Sequence, residues 1–380
     1  MIGIIVSFAV QGFISFVSYI EAYLRGDEHL LLGLPKSLLV ISGPIIAGII
    51  VSIIYKLANL DRWHGPAESI LAAHLPSKRP DTEAGLLSTL AAAISISGGA
   101  SVGQYGPLVH FGGVIGDYFS KLTRDQTSPH ILLACGVAAA ISSGFGAPFA
   151  GLVFAHEVIV RHFSLKAVAP ILISSVVAHT FSSEIYSNEP LLQISIGGIS
   201  NIYEIFPLAL LGLLAGLIAT LYMRGLTGKI PIPKSIPIYL LPIIAGTICG
   251  VTGLFLPETL GLGTNFIRNI IESPMSIDYV FLLLLGKLFL TVICIRLYLF
   301  GGIFSPALFL GVALGCIFVS LFNEIIPDLN YSLFVIAGMA AVTSSVIGGP
   351  ITTLLIVFEL TSDYQVALGA GISVCFANLI

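Results

Sequence analysis

The chain has 380 residues, 56% of them hydrophobic and only 9% charged, with a formal net charge of −4 and a mean hydropathy of +1.01. Soluble domains carry about 25% charged residues, so the composition excludes an ordinary soluble fold and places the chain in a bilayer. Apolar runs far longer than the ~10 residues of a barrel strand make it α-helical, and the small net charge says little about partners.

In chain order, apolar segments predict helices over 1–24, 37–57, 66–74, 83–98, 107–122, 129–145, 148–162, 164–183, 203–226, 236–256, 276–300, 305–325, 331–346, 350–361 and 365–380. The first lacks a basic leader and a small-residue cleavage site, so it reads as a spanning helix rather than a signal peptide. Many others fall short of the ~20 residues that cross ~30 Å of hydrocarbon. Short helices broken at mid-membrane are tolerated where they pack in protein or line a cavity, so a simple bundle of full spans is not expected. Lys56, Arg62, Lys78 and Arg79 form one basic cluster, Arg161 and Lys166 a second, and Arg224, Lys229 and Lys234 a third. All three are expected on the cytoplasmic side, with the loop carrying Glu184, Glu189 and Glu204 outside. The segment GLTGKIPIPKS (225–235) reads as the join between a first membrane half, 1–228, and a second, 229–380, with no soluble domain at either end. Cys135, Cys249, Cys294, Cys316 and Cys375 lie in apolar stretches without pairing or metal-ligand spacing and read as small buried residues.

One motif occurs twice. Residues 134–158 and 336–360 share, at a constant offset of 202, Gly136/Gly338, Ala138/Ala340, Ala139/Ala341, Ser142/Ser344, Ser143/Ser345, Gly146/Gly348, Pro148/Pro350, Leu152/Leu354 and Glu157/Glu359. Upstream, Gly103, Pro107, Gly112 and Gly116 repeat as Gly302, Pro306, Gly311 and Gly315. Two membrane halves interrupted by Gly and Pro at matching places mark a repeat-built transport protein with its site at the repeat interface.

The chemistry points to helix starts. Glycines precede Pro107 in 97–113 and Pro306 in 299–311, and a third candidate start is His64-Gly65-Pro66. Proline suits a first helical turn, and the first four N–H groups of a helix have no internal partner. Together with the macrodipole they attract an anion without a basic side chain. Conduction needs binding strong enough to admit an ion and weak enough to release it, and partial charges serve that better than a buried Lys or Arg. Any one Gly-Pro start could be an ordinary cap. Two equivalent ones in a repeated membrane protein favour anion binding.

Gly302-Ile303-Phe304-Ser305-Pro306, Gly103-Gln104-Tyr105-Gly106-Pro107, Ala147-Pro148-Phe149-Ala150-Gly151 with Phe154 and Glu157, and Phe358-Glu359-Leu360-Thr361 with Tyr364-Gln365 together resemble, in turn, the GxFxP, G(K/R)EGP and APxxGxLFxxE motifs and the last one's second-half equivalent in the CLC family of chloride channels and proton/chloride antiporters. The resemblance runs over nearly the whole chain. It implies an all-α polytopic membrane fold, an inverted repeat of short, tilted and broken helices. It implies a homodimer with one pore per subunit, seated as a multi-pass protein in a lipid bilayer, the bacterial inner membrane. It implies that Gly103, Gln104, Tyr105 and Gly106 and Gly302, Ile303, Phe304 and Ser305 contact chloride or another small anion. Bound chloride is expected; no cofactor, metal, nucleic-acid partner or enzymatic activity is.

The departures from the family pattern carry functional information. Tyr105 stands where the family has its gating and proton-carrying glutamate. A phenol with pKa ~10 does not shuttle protons near neutral pH; it can donate to an anion, plug the pathway, or simply line it as its internal counterpart Phe304 does. Val158 stands where antiporters carry an inner proton-transfer acid, and Glu157 beside it reads as a structural hydrogen-bonding group, although an intramembrane carboxylate is a functional candidate by default. In place of the family's GSGIP is Arg62-Trp63-His64-Gly65-Pro66, so Trp63 or His64 is the candidate inner anion contact, and His64 could add a pH response near ~6.5. The chain reaches Ile380 before the family's last helix and its anion-coordinating tyrosine. His29, His74, His110, His130, His156, His162 and His179 share no spacing and read as helix-face or loop residues, with His156, beside Glu157, the one candidate for a remnant proton site.

These features predict passive anion permeation, of chloride first, without obligatory proton exchange. The rival readings are a proton-coupled antiporter using His64, His156 or Glu157 as carriers, and a pathway specialised for fluoride, nitrate or bicarbonate. An intramembrane enzyme built on Glu157 and Glu359 would need a companion motif that the chain lacks.

Overall fold

A computed structural model describes residues 1–25, 36–58, 60–75, 77–123, 128–186, 197–199, 201–228 and 235–380. His29, Glu189, Lys229 and Lys234 lie outside the described residues. The helices are α1 (Ile2–Arg25), α2 (Lys36–Ala58), α3 (Pro66–His74), α4 (Thr82–Gly98), α5 (Tyr105–Leu122), α6 (Pro129–Phe145), α7 (Pro148–Phe154), α8 (Leu165–Tyr186), α9 (Ile205–Thr227), α10 (Leu241–Gly253), α11 (Thr264–Glu272), α12 (Ile277–Arg296), α13 (Phe304–Phe322), α14 (Tyr331–Ile347), α15 (Pro350–Thr361) and α16 (Tyr364–Ala377). Helix α7 runs on as a π-helical turn, Ala155–Val160. Among the described residues, six helices are long and apolar enough to cross a membrane; α5 is long too, but α6, α7, α10, α14, α15 and α16 are short. The inner helix is α13, 78% of whose apolar window is buried, against 33–44% for the other five spans.

The duplicated segments fold alike. The pairs α5/α13, α6/α14 and α7/α15 carry the repeated glycines and prolines at equivalent places. Pro129, Pro148 and Pro350 sit in first helical turns, where no N–H is lost. Gly146 and Gly348 close α6 and α14 in the left-handed region, both at φ +70, a conformation that costs glycine least. Helix α5 packs along α6, and α13 along α14. Each crossing is glycine on glycine: a Cβ at Gly136 would overlap the Gly112 carbonyl, and one at Gly338 would overlap that of Gly311. Small residues let helix backbones approach closely, which is where membrane helix pairs gain packing energy.

The correspondence extends outward. Helix α1 packs on α6 and α8, as α9 packs on α14 and α16, and α2 packs on α10. By this packing α9 groups with the second half, which differs from the expected join at 225–235; a hydrophobic run shows where a helix lies, not which neighbour it faces. The sequence reading also missed α11. That helix has only nine residues and alternates polar groups with Phe266, Ile267, Ile270 and Ile271, which are buried. Predicted helix 276–300 stops at Arg296, because the chain must turn there, with Tyr298 at φ 64.

Candidate anion pathway

The two proline-bearing helix starts meet head to head. Gly103 N–H donates to the Gly302 carbonyl at 2.7 Å, and Gly302 N–H to the Gly103 carbonyl at 2.6 Å. This isolated antiparallel bridge clamps the N-termini of α5 and α13 together. Side chains would not fit: a Cβ on Gly103 would lie 2.9 Å from the Ser305 nitrogen and hydroxyl, and one on Gly302 would lie 2.8 Å from the Gly106 nitrogen. With the bridge closed, the remaining first-turn amides of both helices have no partner inside their own helix, and two positive dipole ends converge on one spot. Gln104 Oε1 and Ser305 Oγ are buried there without a hydrogen-bond partner. Orphaned buried polar atoms are costly unless something occupies the space. All eight residues expected at the helix starts are thus brought together.

Three rings close this spot on one side. Tyr105 stacks on Phe145 with centroids 3.7 Å apart and planes 16° from parallel, and Phe304 lies 5.3 Å from Tyr105 and 5.0 Å from Phe145. All three are buried. Above the rings opens a cavity of about 430 Å³ lined by Glu21, Gln104, Tyr105, Phe145, His179, Ser182, Arg268 and Glu359, among others. It lies toward the ends of α1 and α8 that are remote from the basic clusters, hence on the outer side by the positive-inside rule. Phe145 and Arg268 are cavity-lining residues that sequence reasoning missed. Phe145 belongs to the duplicated motif but pairs internally with Ile347, so nothing in the repeat marked it.

On the other side, Pro66 at the start of α3 packs against the position of Gly106, and the Tyr222 hydroxyl donates to the Ile303 carbonyl at 3.4 Å. Of the two candidate inner contacts, Trp63 has its indole N–H engaged by the Tyr298 carbonyl at 2.9 Å and its ring stacked on Phe300. His64 keeps a buried Nδ1 without a partner, 6.2 Å ring to ring from His110. Unlike the other two starts, that of α3 carries its own carboxylate: Glu68 accepts from Gly65 N–H at 2.7 Å and pairs with Arg62 at 2.8 Å.

The repeated glutamates are exchanged between the halves. Glu157 accepts from Ile351 N–H at 3.0 Å, Thr352 N–H at 2.7 Å and the Thr352 hydroxyl at 2.6 Å. Glu359 accepts from Phe149 N–H at 2.9 Å and Ala150 N–H at 2.7 Å. Each carboxylate therefore caps the N-terminus of the opposite half's short helix, α15 or α7. Val158 is buried beside Glu157. His156 Nδ1–H donates to the His162 carbonyl at 3.0 Å, and its ring stacks on Phe163.

The sequence model described as "Voltage gated chloride channel" matches residues 2–380. The chain belongs to the CLC family. Members of this family transport chloride or other anions across membranes as channels or transporters, and the chain is an integral multi-pass member. The voltage-gated ClC-type chloride channel ClcB of Escherichia coli is 26% identical over 396 residues, covering all of this chain and 94% of the relative. The H(+)/Cl(−) exchange transporter ClcA of Vibrio vulnificus is 29% identical over 286 residues, 72% of this chain and 61% of the relative. Among solved structures, a slow cyanobacterial Cl−/H+ antiporter superposes with a TM-score of 0.85 at 24% identity, covering all of this chain and 92% of that one. A CLC-type fluoride/proton antiporter superposes with a TM-score of 0.81 at 21% identity, covering all of this chain and 93% of that one. At these identities the structural likeness concerns the fold, the CLC inverted repeat of broken helices.

Proposed function

We propose that this CLC protein conducts chloride passively, without obligatory proton exchange. The observation that carries this reading is the ring stack of Tyr105 and Phe145 where a titratable gate would stand. A CLC exchanger needs a group that takes protons from the outside and competes for the anion site. A phenol does not ionise near neutral pH, and Val158 has no proton to give. The two nearby carboxylates, Glu157 and Glu359, each hold helix N–H groups and serve as caps.

The binding chemistry follows from the helix starts. Chloride sits against the free amides beyond the Gly103–Gly302 bridge, with Ser305 Oγ as a hydroxyl donor. Transit requires the Tyr105 ring to swing toward the outer cavity, which has room for it. The match to ClcB over the full chain supports the channel reading; the ClcA match keeps an exchanger as the alternative, with His64, His156 or Glu157 as its proton carriers. The functional unit is a homodimer with one pathway per subunit, in a bacterial inner membrane.

Chloride-loaded liposomes containing the purified protein test the proposal, with external chloride and pH recorded together. Efflux that requires valinomycin and moves no protons is expected. Uphill proton movement driven by a chloride gradient overturns the proposal.

A further inference from the structure

Cys249 in α10 and Cys294 in α12 lie far apart in sequence, yet their sulfurs are 3.2 Å apart and both side chains are fully buried. Both are free thiols, as their sequence context predicts, but they are in contact. A disulfide needs about 2.05 Å between sulfurs, so closure asks for roughly 1 Å of approach. The surroundings connect the pair to both lead-ins of the anion pathway. On one side stands Ser101, two residues before Gly103. The Ser101 hydroxyl lies 3.4 Å from that of Thr291, one turn before Cys294 on α12. The Cys294 carbonyl accepts from Leu299 N–H at 2.9 Å, and Leu299 is three residues before Gly302. The loop that Lys287 holds through the Thr259 and Gly261 carbonyls is bonded to Gly99 as well. The thiol pair thus stands between the two segments that meet at the Gly103–Gly302 bridge.

We propose that Cys249 and Cys294 are a modification site, closed to a disulfide by a small membrane-permeant peroxide, and that closure slows anion passage. One sulfur attacks the peroxide and becomes a sulfenic acid, releasing one water. The second sulfur displaces the hydroxyl and releases another. Two electrons pass from the sulfurs into the O–O bond, and both thiol protons end in water. Full burial bars bulky reagents and glutathione, so the oxidant must be of hydrogen peroxide's size. Cys135 and Cys316 are buried but have no thiol neighbour; they mark the difference between proximity and mere burial.

The test uses the full chain carrying Cys375→Ser, which removes the one exposed thiol. After hydrogen peroxide the protein is unfolded and treated with N-ethylmaleimide, and intact mass and peptides are read. The expected result is a mass loss of about 2 Da before alkylation, with Cys135 and Cys316 labelled, Cys249 and Cys294 protected, and label restored by dithiothreitol. Cys249 and Cys294 still open to label, or oxidised separately to sulfinic acids, overturn the site. The second arm rests on the conduction reading: peroxide slows chloride efflux reversibly in this protein and not in Cys249→Ala or Cys294→Ala. A disulfide that forms without changing efflux overturns the coupling to the pathway. The mass arm stands even if no flux is seen, so failure of the conduction reading is told apart.

Discussion

At the scale of residues, the pathway is governed by what each group can still donate. The Tyr105 hydroxyl and ring make separable contributions. If the ring is the obstruction, Tyr105→Phe leaves chloride efflux at the wild-type rate, while Tyr105→Ala, which removes the stack on Phe145, raises it; liposome efflux checks both. Slow efflux in Tyr105→Phe would instead show that the hydroxyl serves the anion. Ser305→Ala removes one donor to an anion, and hydrogen bonds to charged groups contribute about 1.5–3 kcal/mol. Chloride binding measured by titration calorimetry should weaken by roughly tenfold or more, in line with that range. Glu157→Gln keeps the shape of the cap but removes its charge. It should lower stability by about 1–2 kcal/mol in detergent unfolding while leaving proton flux absent. A carrier role for Glu157 predicts instead a change in proton movement.

At the scale of elements, the repeat dictates close packing rather than long spans. Gly136→Ala would drive a methyl into the Gly112 carbonyl, and neither backbone can yield without separating α5 from α6. The expected outcome is loss of folded protein, or destabilisation of about 3 kcal/mol or more, read by size-exclusion recovery and thermal unfolding. Gly146→Ala meets nothing within 4 Å, so its cost should be only the ~1 kcal/mol of a left-handed residue. Much of this was legible in the sequence. The helix starts at Pro66, Pro129, Pro148 and Pro350 carry their own signal, and the duplicated glycines mark the crossings. Helix α11, by contrast, is too short and too polar to stand out, and its Arg268 went unread. The partners of Glu157 and Glu359 were hidden because capping acts across the halves, between residues about 200 apart. Likewise, that Trp63 rather than His64 is engaged by Tyr298 is a fact of packing that no spacing reveals.

At the scale of the whole molecule, the two halves are held as one body by reciprocal devices: the Gly103–Gly302 bridge at the centre and the exchanged carboxylates Glu157 and Glu359 beside it. The converging dipole ends form the anion site of the proposed pathway, and the aromatic stack of Tyr105, Phe145 and Phe304 lies between that spot and the outer cavity. On the proposed reading, anion passage is not tied to proton movement. The most direct test is the reversal potential of the purified protein in a planar bilayer under a fixed chloride gradient, with and without a pH gradient. The account predicts a reversal potential at the chloride equilibrium potential that does not move when the pH gradient is imposed. A reversal potential that shifts with the pH gradient would contradict it and establish coupled exchange.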